Sequence, residues 1–406
     1  MSDNLPAKVS KSLFTKEEEE VAMWDSLPPE IIPNILLRLP TKSIVRFPNH
    51  NQPLLLFRFC SDWLKDAMFS MERDTQGIEV YKLYCDNQDF NEHTRFDFPF
   101  HTQAHGAPFG VVGTCNGLVC VMGDGFSDII ILWNPCVRMF VELPKPNVTS
   151  RSYDGCDTSA GFGFDSKTND YKVVRVVTVV DVRRRGDWGV SPPKVEVYSL
   201  ATGEWSMVTT ALPGAVRHRD PLPFVNGALH WVALRRTNCN KYRNFITVLH
   251  LGDMVFSEIA LPILSDDKDD GDESHIRPFI SAYGNSLALC QEGFCTLSVN
   301  VWLMKRHADS SSWTEIVIFP HIGLRDQDIN DMIGADHAEG YIHRAKGFRK
   351  SGEVVVQLDL DQRLVSQDLE TQECKDLRIS AYNYTFIGSY VKSLVLLDKP
   401  NRAATY

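Results

Sequence analysis

Hydrophobic and polar positions change their period once along the chain. Between residues 27 and 68 apolar side chains recur at helical spacing; from Ile78 onward they alternate or run in short β-branched and aromatic blocks. In LPPEIIPNILLRLPTKSIVRF (27–47), Ile32, Ile35, Leu36 and Leu39 form one apolar stripe, and Ile44, Val45 and Phe47 add a second short segment. A proline inside a helix costs about 3 kcal/mol, so a regular helix is expected from Pro33, with residues 27–30 as an irregular start and Pro40 as the stop. PNHNQP (48–53) reads as a loop. A third helical pattern then places Leu56, Phe59, Cys60, Trp63, Leu64, Ala67 and Met68 on one side. Short helices with this much aliphatic surface predict either a docking module for another protein's helices or a cap on the β domain.

The later blocks read as strands: IEVYKLY (78–84), IIILW (129–133), YKVVRVVTVV (171–180), VEVYSL (195–200), ITVLHL (246–251), SVNVWLM (298–304) and EVVVQLDL (353–360). No long helical pattern alternates with them, which argues against a parallel α/β sheet. One unit recurs as strand, polar turn, bulky residue, strand: YSLATGEWSMV (198–208), LHLGDMVFSEI (249–259), WLMKRHADSSSWTEI (302–316) and VSQDLETQECKDL (365–377). An offset unit sets a Gly/Asn turn before a buried-looking strand: CNGLVCV (115–121), VNGALHWV (225–232) and YGNSLALC (283–290). Steps of about 50 residues suit a four-stranded, kelch-like propeller blade, although the glycine doublet of a good kelch motif is missing. An irregular β-sandwich is the alternative.

Residues 1–22 are polar, end in Glu17–Glu20 and read as a disordered tail. The formal charge of −10 over 406 residues argues against nucleic acid as the main partner. No run reaches membrane-spanning length and the first residues lack a signal-peptide core, so a cytosolic or nuclear chain is expected. Ten scattered cysteines without C-x-x-C read as reduced residues, and neither a zinc site nor any cofactor is expected.

Motifs for hydrolysis, phosphate binding and dinucleotide binding are absent. DDKDDGDES (266–274) resembles a calcium loop only superficially: Lys268 falls on a ligand position and Phe279 stands where the closing glutamate belongs, so a solvated loop is expected. His218, His230, His250, His321, His337 and His343 are too dispersed to pair by sequence, and His230, beside Trp231 in a strand, reads as a core or rim histidine. Nothing asks for catalysis, although a propeller enzyme or lectin with a helical cap stays open.

LPPEIIPNILLRLPTKSIVRF resembles the first half of the F-box of plant F-box proteins. GTCNGLVCV (113–121), LWNPCVRMFVELP (132–144), AGFGFDSKTNDYKVVRV (160–176), VEVYSLATGEWSMV (195–208) and FVNGALHWVA (224–233) resemble, in order, the F-box-associated interaction domain of the F-box/kelch-repeat type. The likeness covers about residues 24–398 and implies an α+β multidomain chain. Its parts would be a tail at 1–22, a three-helix F-box at 23–70, connecting strands at 71–110 and an all-β propeller at 111–400. It further implies a non-catalytic substrate receptor of an SCF-type E3 ubiquitin ligase, docked through a Skp-type adaptor to a cullin and a RING subunit, with the β domain holding a target protein. Carried onto this chain, the adaptor-binding positions are Leu27, Pro28, Ile32, Ile35, Leu36, Leu39, Pro40, Ile44 and Trp63. The chain departs from the family after Phe47, where PNHNQPLLLFRF comes before Cys60-Ser61-Asp62-Trp63. Either the loop ahead of the third helix is longer, or the module no longer binds its adaptor and the chain only sequesters its partner.

Overall fold

The structure, a computed structural model, describes residues 53–61, 78–98, 109–123, 128–149, 156–181, 187–188, 192–216, 221–239, 241–262, 273, 276, 278–292, 299–318, 344–358, 362–381, 385–395 and 397. The chain divides into two compact units, residues 1–48 and 49–406, and the first lies wholly outside the described residues.

The second unit is a propeller of six antiparallel sheets. Blade A joins β1 (Leu54–Ser61), β2 (Ile78–Cys85) and β3 (Glu92–Asp97) to β26 (Phe386–Tyr390) from the far end of the chain. Blade B is β4 (Phe109–Cys115), β5 (Leu118–Gly123), β6 (Ile130–Asn134) and β7 (Met139–Glu142). Blade C holds β8 (Cys156–Asp165), β9 (Asp170–Asp181), β10 (Asp187–Trp188), β11 (Lys194–Ser199) and β12 (Glu204–Met207). In blade D two short pieces, β13 (Ala215–Val216) and β14 (Phe224–Val225), share the innermost position beside β15 (Ala228–Arg236), β16 (Tyr242–His250) and β17 (Val255–Ala260). Blade E is β18 (Phe279–Tyr283), β19 (Ser286–Glu292), β20 (Val299–Met304) and β21 (Trp313–Ile318). Blade F is β22 (Arg344–Phe348), β23 (Val354–Gln357), β24 (Arg363–Gln367) and β25 (Cys374–Ser380).

Burial explains the strand patterns. Second and third strands are covered on both faces and read as continuous apolar runs, such as Leu118–Val121 or Val354–Val356. Outer strands are far more exposed, as in β17, and alternate in β21. Six apolar cores lie one between each pair of neighbouring blades. Trp133 and Tyr81 fill the A–B junction, Phe162 and Tyr198 the B–C junction, Trp231 the C–D junction and Trp302 the D–E junction. Val356 with Phe348 fills E–F, and Phe57 with Leu364 fills F–A.

Both repeats seen in the sequence are blade hairpins. The Gly/Asn units are turns from first to second strand, and Asn116-Gly117 and Asn226-Gly227 both adopt positive φ, as a two-residue hairpin of this twist requires. The other unit is the third-to-fourth-strand hairpin of blades C, D, E and F. Of the two all-β alternatives, the propeller is the one observed.

The expected α+β chain with a three-helix F-box is overturned: the described residues are almost wholly β and contain no α-helix, only a short 3-10 turn at Ser310–Ser312. Residues 54–61, which include the start of the expected third helix, form β1, bonded to β2 along its whole length and to β26 over Leu54–Arg58. Leu54, Leu55, Leu56 and Phe57 are all buried. A run apolar on every side satisfies a central strand, whereas a surface helix would leave half of it in water. Leu56, Phe59 and Cys60 fit both periods over so short a span, which is why the spacing misled.

Candidate functional site

In a four-stranded meander, the first-to-second and third-to-fourth connections lie at one end, and the second-to-third and blade-to-blade connections at the other. The first end carries short connections, among them 116–117, 135–138, 200–203, 226–227, 251–254 and 284–285, the longest being 305–312 with its 3-10 turn. The described strand ends on the other side bound the longest stretches between successive blade strands: 62–77, 98–108, 143–155, 261–278, 319–343, and 182–193 with β10 inside it. Long connections on a rigid scaffold are where binding residues concentrate, so this long-connection face is the candidate site.

The chain enters and leaves the ring on the opposite face. Leu54 pairs with Tyr390 at the tight-turn end of blade A. From there the chain crosses blade B, where Asn134 Nδ2 donates to the carbonyls of Ser393 (3.1 Å) and Val395 (2.9 Å), and Leu397 is buried in the B–C core. The tight-turn face is therefore partly covered by residues 393–395 and Leu397.

Buried carboxylates pin the roots of the long connections. Glu79 on β2 pairs with Arg58 at 3.0 Å and accepts the Phe109 N–H at 2.6 Å, fixing the start of blade B. Glu196 on β11, directly opposite Arg175 on β9, pairs with it at 2.8 Å and accepts the N–H groups of Asn147 and Val148. The same guanidinium reaches Asp128 at 2.7 Å and the Val148 carbonyl, so one buried arginine fixes two connections. Glu273 accepts the Asn244 N–H at 2.7 Å and pairs with Arg243. The expected solvated loop is thus corrected at this residue: Glu273 is buried. Charges this deep persist because each is paired and hydrogen-bonded.

Elsewhere, burial and hydrogen bonding shift several of the described ionisable groups. Burial pushes the Cys115 thiol up to about 12 and holds His230 down at about 4. His230 lies in the blade D sheet with Nδ1 at 3.3 Å from the Pro223 carbonyl, as a core histidine. Its ring meets His307 of blade E edge-on at 5.4 Å, a contact the sequence did not suggest. Asp165 is raised by burial, but hydrogen bonds from Lys172, Thr168 and the Lys167 N–H outweigh that and hold it at about 2. Among the described residues no group of three His, Cys, Asp or Glu side chains is arranged to hold a metal ion. No described helix is long and apolar enough to cross a membrane.

All nine expected adaptor-binding residues lie outside the described residues: Leu27, Pro28, Ile32, Ile35, Leu36, Leu39, Pro40, Ile44 and Trp63. So do His218, His321, His337 and His343. What sequence reasoning missed is the set of buried acid anchors, whose signal was a charged residue inside an apolar strand, as in YKVVRVV and VEVYSL.

Comparison with known proteins agrees with this architecture. The chain is 26% identical to the F-box protein At3g07870 of Arabidopsis thaliana, over 87% of each chain. It is 25% identical to the F-box/kelch-repeat protein At3g23880 of the same plant, over 74% of this chain and 81% of that one. F-box protein CPR1, also from Arabidopsis thaliana, is 23% identical over 92% of this chain and 89% of its own length. The family model described as the F-box associated beta propeller domain matches residues 77–397, and the chain belongs to that family.

Proposed function

We propose that the chain is a non-catalytic substrate-recognition subunit of an SCF-type E3 ubiquitin ligase, working in the cytosol or nucleus. Residues 27–47 dock a Skp-type adaptor, and through it a cullin and a RING subunit, with Leu27, Pro28, Ile32, Ile35, Leu36, Leu39, Pro40 and Ile44 as the contacting side chains and Trp63 beyond them. The long-connection face holds the target protein. Such a receptor needs no reactive group, because it raises the concentration of target beside the ubiquitin-charged enzyme. The observation that carries this reading is the family match over 77–397 together with relatives that bear the F-box name along most of their length.

The test is association of the full chain with a Skp-type adaptor in size-exclusion chromatography. The wild type should co-elute with the adaptor. Leu36→Asp should abolish co-elution, because a charge placed in a desolvated apolar groove costs several kcal/mol. A wild type that never binds any Skp-type adaptor would sink the reading.

One observation favours a second reading. Leu54–Ser61 is tied into the propeller as β1, so a module that needs this run as a helix could not form while the blade is intact. The chain would then bind its partner without promoting ubiquitination. Target capture without adaptor association distinguishes it.

A further inference from the structure

The blade D hairpin on the long-connection face carries an unusual charge pattern. Arg235 at the end of β15 lies directly opposite Arg243 at the start of β16. Like charges opposed in a ladder destabilise it, and the next position outward on β15 is again basic, Arg236 opposite Tyr242, with Lys241 just beyond, in a chain of net charge −10. Each of the two opposed guanidiniums is held in place by a carboxylate from elsewhere. Arg235 stacks over the Phe245 ring at 4.2 Å and pairs with Glu258 at 2.5 Å; Arg243 pairs with Glu273 at 2.9 Å. Both arginine side chains nevertheless keep 45% and 46% of their surface in solvent. Their geometry already accepts carboxylates, and their orientation is fixed before any partner arrives.

Resting on the reading of the long-connection face as the target surface, we propose that the Arg235–Arg243 pair is the docking point for an acidic segment of the partner protein. A guanidinium presents planar, paired N–H donors that match a carboxylate, and one already oriented by stacking and pairing loses little freedom when it binds. Two of them, on adjacent strands of one ladder, suit an extended segment with carboxylates spaced along it. Glu258 is then an internal competitor for Arg235, which keeps the site from holding isolated anions.

The test measures fluorescence anisotropy of a labelled glutamate–glycine repeat peptide against the full chain, with a lysine–glycine repeat as control. The glutamate peptide should bind, the lysine peptide should not, and binding should weaken as salt is raised. Arg235→Gln with Arg243→Gln should weaken it about tenfold or more, with folding followed by thermal unfolding. Glu258→Gln, which removes the competitor and leaves both arginines, should tighten binding. No binding by the wild type, equal binding of the two peptides, or a Glu258→Gln variant that binds no better than wild type would overturn the docking point. The receptor reading fails separately, on adaptor association, and would survive that result.

Discussion

Leu56 of β1 lies opposite Gly388 of β26, so the ring is closed by hydrogen bonds between the two ends of the propeller chain. Blade A has no covalent connection between its first and second strands. Its first-strand position is filled only after almost the whole chain exists.

Truncation after Thr385, which removes β26 and the segment beyond it, should therefore abolish cooperative thermal unfolding rather than trim an edge. Leu56→Ala, at a fully buried site, should cost about 2–5 kcal/mol. Val391→Ser, just past the strand and 58% exposed, should stay within about 0.5 kcal/mol. Denaturant midpoints measured on the three chains check the contrast.

The Arg175–Glu196 pair makes a sharper energetic statement. Glu196→Ala leaves a buried guanidinium short of its partner and orphans two backbone N–H groups, so a loss of about 3–5 kcal/mol is expected. Replacing both, Arg175→Met with Glu196→Leu, should cost less than the single change, because no guanidinium stays buried without its carboxylate and the one acid that loses the arginine, Asp128, is partly exposed. A double-mutant cycle by urea unfolding reads the coupling directly.

Asn134 should matter more than a surface amide. It is fully buried and spends both amide hydrogens on the carbonyls of Ser393 and Val395. Asn134→Ala should cost about 1–3 kcal/mol and speed proteolysis of residues 391–397. Gly117→Ala should loosen the same segment by another route: its φ is +80°, and an added Cβ would sit 2.1 Å from the Ser393 Cβ.

Acid should loosen the protein in two separable windows. His230 is held at about 4 by burial, below its ordinary 6.5, so the unfolded chain binds the extra proton first. Its contribution is complete above about pH 6.5, falls as pH drops toward 4, and amounts to roughly 3 kcal/mol at most. His230→Leu should flatten stability between those values. Asp165 acts lower: held at about 2 against an ordinary 3.8, its contribution is present above 3.8 and lost as pH falls toward 2. Thermal midpoints of wild type and His230→Leu across pH 3–8 check the first window.

The sequence alone determined the blade hairpins. Asn116-Gly117 and Asn226-Gly227 carry the turn chemistry themselves, and the recurrence of the strand–turn–strand unit follows from burial repeated blade after blade, with Leu200, Leu251 and Leu369 buried at its turns and Leu303 of blade E only partly so. Period-2 and continuous apolar runs gave the strands for the same local reason: a residue's neighbours along the chain fix which face it shows. The face bearing the candidate site was not legible, because it depends on which connections emerge together, and that is set by six sheets arranged around one axis. Nor was the fate of LLLFRF, which matches a helix and a strand equally well over its own length. Only the distant partners Ile78–Cys85 and Phe386–Tyr390, arriving on either side, decided it, because a strand with both edges bonded and both faces buried outweighs any local preference.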